Sequence, residues 1–408
     1  MRQSVYLLAL ACLLAACPMP PPAPPPPSPR GYVAGETFDS VVTVLRRRYY
    51  DTTFVATALK SLVEEFRPAA IAAVDLGEER DVVWRFLARI PASHLALLSR
   101  TAAYDLWWNI PGDRHPMLGM QLVQLEGRYF ASMVLAGGPA ALAGIHDWDE
   151  VVTIDSVPPA RSSRVDWRSD DASLADDRDP PVYGLRSLYG VEQLQVVRAP
   201  GETVFVRVTP RSYSVLDAAR ASAHIITRDG VRVGYIHWWY MNSKGIKKGF
   251  SAALRGPLDS SQALVLDLRG RGGAGEGIRD VLSLLAPGSH QQFIGPIVAL
   301  TDRQTRSAKE ILAFQLRARG LARLVGEPTA GAVLGAGFEE ISGSAILMYP
   351  GGAVPTYTDS IEGRPVVPDV ETAWGGPHSG GRDPILEAGL DEAVRLVHTN
   401  GAGFTRLR

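Results

Sequence analysis

The spacing of apolar residues changes twice along this chain, and those changes bound the folds open to it. Phe38, Val41, Val42 and Leu45 recur at helical intervals. So do Val55, Leu59, Leu62 and Phe66, and then Val82, Val83, Phe86, Leu87 and Ile90. Residues three and four apart share one face of a helix, so residues 31–112 are expected to form a small helical domain. From about 117 the period shortens. Met120 to Leu125, Tyr129 to Val134, Val151 to Asp155, Gln193 to Arg198 and Val204 to Thr209 read as strands, the last two closing a hairpin around Pro200-Gly201. From about 212, short apolar runs at 234–239, 263–267 and 296–300 alternate with helical patterns at 276–286 and 306–319, which points to an α/β layer. The expected fold is multidomain α+β, with a helical domain at 31–112, a β domain at 113–211 and an α/β core at 212–408.

Composition narrows the function. The chain is 46% hydrophobic and carries 42 basic against 43 acidic residues, so it lacks the basic footprint of a nucleic-acid binder. Both cysteines, Cys12 and Cys17, lie in the first 17 residues. The body therefore has no disulfide and no thiolate metal site. The eight histidines form no HExxH and no other pair at ligand spacing, so neither a metal nor a cofactor is expected. Residues 161–180, with six Asp and four Arg, read as a solvated loop.

The beginning of the chain reads as a leader. Arg2 precedes an apolar run from Val5 to Leu14 that is too short to span a bilayer. Leu14-Ala15-Ala16-Cys17 resembles a bacterial lipobox, in which Cys17 would be acylated. Pro18 to Pro29 is almost all proline and suits an extended polyproline stalk at 18–30. The expectation is a lipid-anchored protein of the bacterial cell envelope, facing away from the cytoplasm.

Ser307 stands where a buried strand and a short turn give way to a helix. Free N–H groups and the helix dipole favour developing negative charge there. Ser307-x-x-Glu310 is equally a capping box, which needs no chemistry. Gly270-x-Gly272-x-x-Gly275 after a strand, with Asp302 ending the next, also satisfies a dinucleotide fingerprint, although a single βαβ unit supports it weakly.

Two resemblances order these motifs. Gly138-Pro139-Ala140-Ala141-Leu142-Ala143-Gly144 followed by the strand at 151–155 resembles a PDZ domain, with Trp148 where that family prefers Gly. Asp267-Leu268-Arg269-Gly270-Arg271-Gly272-Gly273, Gly326-Glu327-Pro328-Thr329-Ala330-Gly331, the segment from Glu362 to Val370 and Asp383-Pro384 together resemble the carboxyl-terminal processing, or tail-specific, serine peptidases. That family implies a PDZ domain ahead of an α/β catalytic core, acting on peptides or protein C-terminal regions. Members often place a catalytic Lys after the Gly-Glu-x-Thr-x-Gly motif, but Ala332 stands there. Lys309 points about 200° round the helix from Ser307, so it does not replace it. The tricorn-like branch instead implies Ser307 as nucleophile, His94 as base with Ser93 supporting it, and Glu362 as the acid. His115 is a rival base. The resemblance further implies an oxyanion hole from Ala308, Gly272 and Gly273, although Arg271 and Ala274 depart from the usual Asn and Gly. The alternative is an inactive, PDZ-containing peptide-binding scaffold.

The anchor is open to direct test. Cys17→Ser should move the protein from the membrane fraction to the soluble fraction, whereas equal solubility of both forms would exclude acylation at Cys17.

Overall fold

In the computed structural model of this chain, which describes residues 31–172, 180–186, 192–377 and 382–400, the first apolar stripe becomes the helix Glu36–Arg48. Phe38, Val41, Val42 and Leu45 are buried on its inner face, and the carboxylate of buried Glu79 accepts from the Phe38 N–H at 2.9 Å. The second stripe is broken. Asp51 caps a short helix, Thr52–Thr57, and a longer one, Leu59–Ala72, starts afresh after Ala58. Val55 therefore lies on a different element from Leu59, Leu62 and Phe66. The third stripe forms Leu76–Leu87, whose cap Asp75 accepts from the Glu78 N–H. Cys17, the leader and the proline tract lie outside the described residues.

These helices belong to a compact unit that is not contiguous in sequence. It gathers residues up to Trp107 with Trp167–Pro181 and Ala332–Arg364. The strand Ala96–Ser99 pairs antiparallel with Ala345–Gly352, which pairs in turn with Gly335–Ile341. Leu334, Ala345 and Leu347 pack into the same core as Phe38, Phe86 and Leu95. A division of the chain at 112 and 211 thus cuts across this unit. Part of the acidic loop also belongs here. Ala172 is buried, its N–H donates to the Leu95 carbonyl at 2.7 Å, and Arg80 lies over the Trp167 ring.

The second unit comprises Trp108–Asp166, Val182–Gly331 and the chain from Pro365 onward. One of its sheets is antiparallel. Val182–Leu185, Gln121–Leu125, Arg128–Ser132, Glu150–Ile154, Glu192–Ala199 and Glu202–Val208 are neighbours in that order, over a core that includes Leu122, Val151, Leu194 and Val196. The expected hairpin forms at Pro200-Gly201, and Pro139 opens a short helix, Pro139–Leu142. Gln121–Leu125 has partners on both edges, so an added peptide strand cannot pair with it; Glu202–Val208 ends the order.

The other main sheet has six strands in the order His224–Arg228, Val231–His237, Ala263–Asp267, Ile297–Thr301, Arg323–Gly326 and Val370–Glu371. Only the first pair is antiparallel. Strands of a parallel sheet are covered on both faces and read as unbroken apolar runs, as 263–267 and 297–301 do. Ile385, Leu390, Ala393 and Val394 of the helix Pro384–Asn400 pack on Val265, Val298 and Val325. The loops that leave Val231–His237, Ala263–Asp267 and Ile297–Thr301 exit at the carboxyl ends of parallel neighbours, where open α/β sheets place their sites.

Phe86 is wholly buried and meets Phe38 and Phe66 edge-on at 4.9 and 5.9 Å. Phe86→Ala should cost about 3–5 kcal/mol in urea unfolding, and a loss below about 1 kcal/mol would show that this cluster does not hold the first unit together.

Candidate active site

The sequence-derived candidates fall into two clusters, one in each unit. In the second unit, Ser307 opens the helix Ser307–Ala318 with φ 54°, a left-handed backbone uncommon for any residue but glycine. The capping box does not form. Arg306 holds the N-cap position with no side-chain cap, and the buried Glu310 carboxylate accepts instead from Thr329 Oγ1 and from the Gly331 N–H at 2.8 Å. Glu310 thereby ties the Gly326–Gly331 motif to the helix that begins at Ser307.

The glycine turn lies directly against the serine. A Cβ on Gly272 would stand 2.6 Å from the Ser307 Cβ, and Gly273, at φ 135°, would press a Cβ within 2.2 Å of the Met241 carbonyl oxygen. Only glycine fits at either position. Met241 fixes the turn by donating to the Gly272 carbonyl at 3.0 Å and accepting from the Ala274 N–H at 2.7 Å. Among the described residues, the N–H groups of Gly272 and Gly273 have no acceptor. Asp302 faces the same turn, taking the Gly270 N–H at 3.0 Å and the Thr305 hydroxyl at 2.8 Å. These contacts overturn the dinucleotide reading, because the serine closes the glycine cradle and the acid is engaged within it.

In the first unit, His94 is 5% exposed and also has a left-handed backbone, at φ 62°. Its Nδ1 lies 2.8 Å from Ser93 Oγ, and that hydroxyl donates to Glu362 Oε2 at 3.1 Å. Glu362 also takes the backbone N–H groups of Ser93 at 2.9 Å and of Val333 at 2.7 Å. An ionised carboxylate only accepts, so Ser93 must donate to it and accept from His94 Nδ1–H. That chain of donors fixes the tautomer and leaves Nε2 as the basic nitrogen. Ser93, expected from the sequence to support His94, stands between His94 and Glu362.

Asp171 is the residue that sequence reasoning missed. Its carboxylate accepts from the N–H groups of His94 at 2.7 Å and Leu95 at 3.1 Å. Within a run read as solvated, nothing distinguishes it from its acidic neighbours. The rival base, His115, lies in the second unit, in the strand His115–Met117 opposite Tyr213, stacked on Trp108. Among the described residues no cluster of three His, Cys, Asp or Glu side chains could hold a metal ion.

The second unit thus holds a serine in a left-handed turn at a helix start with glycine N–H groups beside it, and the first unit holds a buried imidazole on a serine–glutamate relay. Residues 276–372 match the model of Peptidase family S41. A curated relative, tricorn protease homolog 2 of Streptomyces coelicolor, is 23% identical over 413 residues, covering 90% of this chain and 32% of its own length. This chain thus spans about a third of that relative. Among solved structures, a CPAF mutant superposes with a TM-score of 0.50 at 12% identity, covering 92% of this chain and 99% of that one. That likeness concerns the fold. The photosystem II D1 C-terminal processing protease is 18% identical, with a TM-score of 0.48 over 83% of this chain and 93% of that one.

Asp171→Ala orphans two buried N–H groups and should destabilise the protein by about 1–3 kcal/mol for each, read by urea unfolding. Asp171→Asn keeps one acceptor and should lose less; equal stability of all three forms would show that Asp171 does not hold the His94 backbone.

Proposed function

We propose that this protein is a metal-independent serine endopeptidase with Ser307 as nucleophile, His94 as general base and Glu362 as the orienting acid, acting through Ser93. The observation that carries this reading is the His94–Ser93–Glu362 chain, because it commits the Nδ1 proton and leaves Nε2 as the proton acceptor. Ser307 Oγ attacks the scissile carbonyl carbon as its proton passes to Nε2. The carbonyl oxygen becomes an oxyanion held by the N–H groups of Ala308, Gly272 and Gly273. The imidazolium then protonates the leaving amine, the C–N bond breaks, and water releases the acyl group by the same route in reverse. The Glu362 carboxylate stabilises the imidazolium through the shared Ser93 hydroxyl, without taking its proton.

The substrate class in this reading is peptides or protein C-terminal regions, guided by the antiparallel sheet acting as a PDZ-type module. Extended peptides recognise sheets by adding to an open edge. Here that edge is Glu202–Val208, where Phe205 is strongly exposed. Placement at the cell envelope through Cys17 belongs to the same proposal.

Ser307→Ala and His94→Ala should each lower kcat by several orders of magnitude, and the double mutant should lose little more, since the pair acts as one unit. Glu362→Gln should lose less, and chelators should have no effect. A fluorophosphonate should label the wild type but not Ser307→Ala, and activity should fall on the acid side as the imidazole protonates. Full activity of Ser307→Ala would refute the enzyme; an active His94→Ala beside a dead His115→Ala would reassign the base.

A further inference from the structure

Lys309 is wholly buried in the first turn of the helix that starts at Ser307. Its ammonium has three N–H donors and three acceptors: the carbonyl oxygens of Trp238 at 2.9 Å, Trp239 at 3.2 Å and Arg269 at 2.5 Å. A cation at a helix N-terminus opposes the macrodipole, and an ammonium withdrawn from water is costly. An apolar side chain of the same length would fill the space without either penalty. The three carbonyls indicate what the charge does.

All three lie on the backbone that frames the glycine turn. Trp238 and Trp239 lead directly to Met241, whose N–H and carbonyl clasp Gly272 and Ala274. The Arg269 carbonyl opens the same turn from its other end, and the next N–H, that of Gly270, is held by Asp302. The ammonium is thus the common partner of two segments that bracket Gly272 and Gly273. Its own position is fixed by the helix that carries Ser307.

We propose that charged Lys309 is the positioning residue of the oxyanion hole, clamping the Trp238, Trp239 and Arg269 carbonyls so that the Gly272 and Gly273 N–H groups stay aimed at the oxyanion formed on Ser307. The proposal rests on the reading of Ser307 as nucleophile. A neutral amine has two N–H groups and a lone pair, so one of the three carbonyls would face the lone pair and the clamp would loosen. Burial draws the Lys309 pKa down to about 7, while Asp302 and Asp267 raise it and Arg269 lowers it. His237 is the remaining titratable group facing it, itself held mostly neutral by burial. The charged form is present below that pH and is lost as pH rises through it. The clamp therefore fails on the alkaline side, whereas an imidazole base fails on the acid side.

The test measures fluorophosphonate labelling, kcat and KM from about pH 5 to about pH 10 for the wild type, Lys309→Met and Asp302→Asn. The wild type should lose kcat above neutral pH. Lys309→Met should lower kcat about 100-fold with KM unchanged, and should lack the alkaline limb. Asp302→Asn should move that limb to lower pH, because one anion that favours the ammonium is gone. If thermal melting shows Lys309→Met to be unfolded, the Asp302→Asn limb alone decides. A folded Lys309→Met with wild-type kcat, or an unmoved limb in Asp302→Asn, overturns the clamp and leaves Ser307 untouched. A wild type that is neither labelled nor active overturns the nucleophile, and the clamp with it.

Discussion

Asp267 is the residue around which the second unit's site is built. It ends a strand with parallel neighbours on both sides and is wholly buried. Burial works against its ionisation, but the Arg269 guanidinium beside it holds the carboxyl well below the usual carboxylate range. A buried carboxylate stripped of its partner is strongly destabilising, so the chain cannot leave the strand freely. It must double back so that Arg269, two residues on, donates to Asp267 through both its backbone N–H and its side chain. That reversal delivers Gly270 to Gly273 to the carboxyl end of the sheet, against Ser307. Arg269 also reaches Asp383 at 2.8 Å, which secures the start of the helix Pro384–Asn400.

The two candidates for proton transfer share a feature that packing alone does not require. Ser307 and His94 both have left-handed backbones, each worth about 1–3 kcal/mol of strain that the surroundings must offset. The offsets are visible. Around His94, Asp171 takes two successive N–H groups; around Ser307, Glu310 fixes the helix to the Thr329–Gly331 segment and Gly272 closes against the serine from the side. Each unit therefore stabilises one strained candidate residue with carboxylates of its own.

Much of this was legible in the sequence, for physical reasons. The buried parallel strands announced themselves because both faces are covered, and Phe38, Val41, Val42 and Leu45 kept a strict helical period. The glycine turn was visible because only glycine can approach Ser307 and Met241 so closely. Local pattern fails where one chemistry serves two ends. Ser307-x-x-Glu310 has the spacing of a cap, yet Glu310 bonds forward to a segment some twenty residues away. It fails again where distant segments complete one core. No period within 31–107 shows that the strand Ala96–Ser99 needs the hairpin at 335–352, or that Asp171 reaches His94.

The absence of lysine at Ala332 takes on meaning beside these contacts. The resemblance noted in the sequence implies a lysine base at that position in lysine-dependent members. Here the side chain is a buried methyl, and the next residue, Val333, offers its N–H to the acid Glu362. The segment thus donates to Glu362 and carries no lysine. Lys309 keeps its three donors on backbone carbonyls, an arrangement available only to the protonated form and unsuited to a proton acceptor. A base must be neutral at working pH and a clamp must be charged. The proposed assignment gives the proton transfer to imidazole and the clamp to ammonium, so each group works in the protonation state its contacts favour.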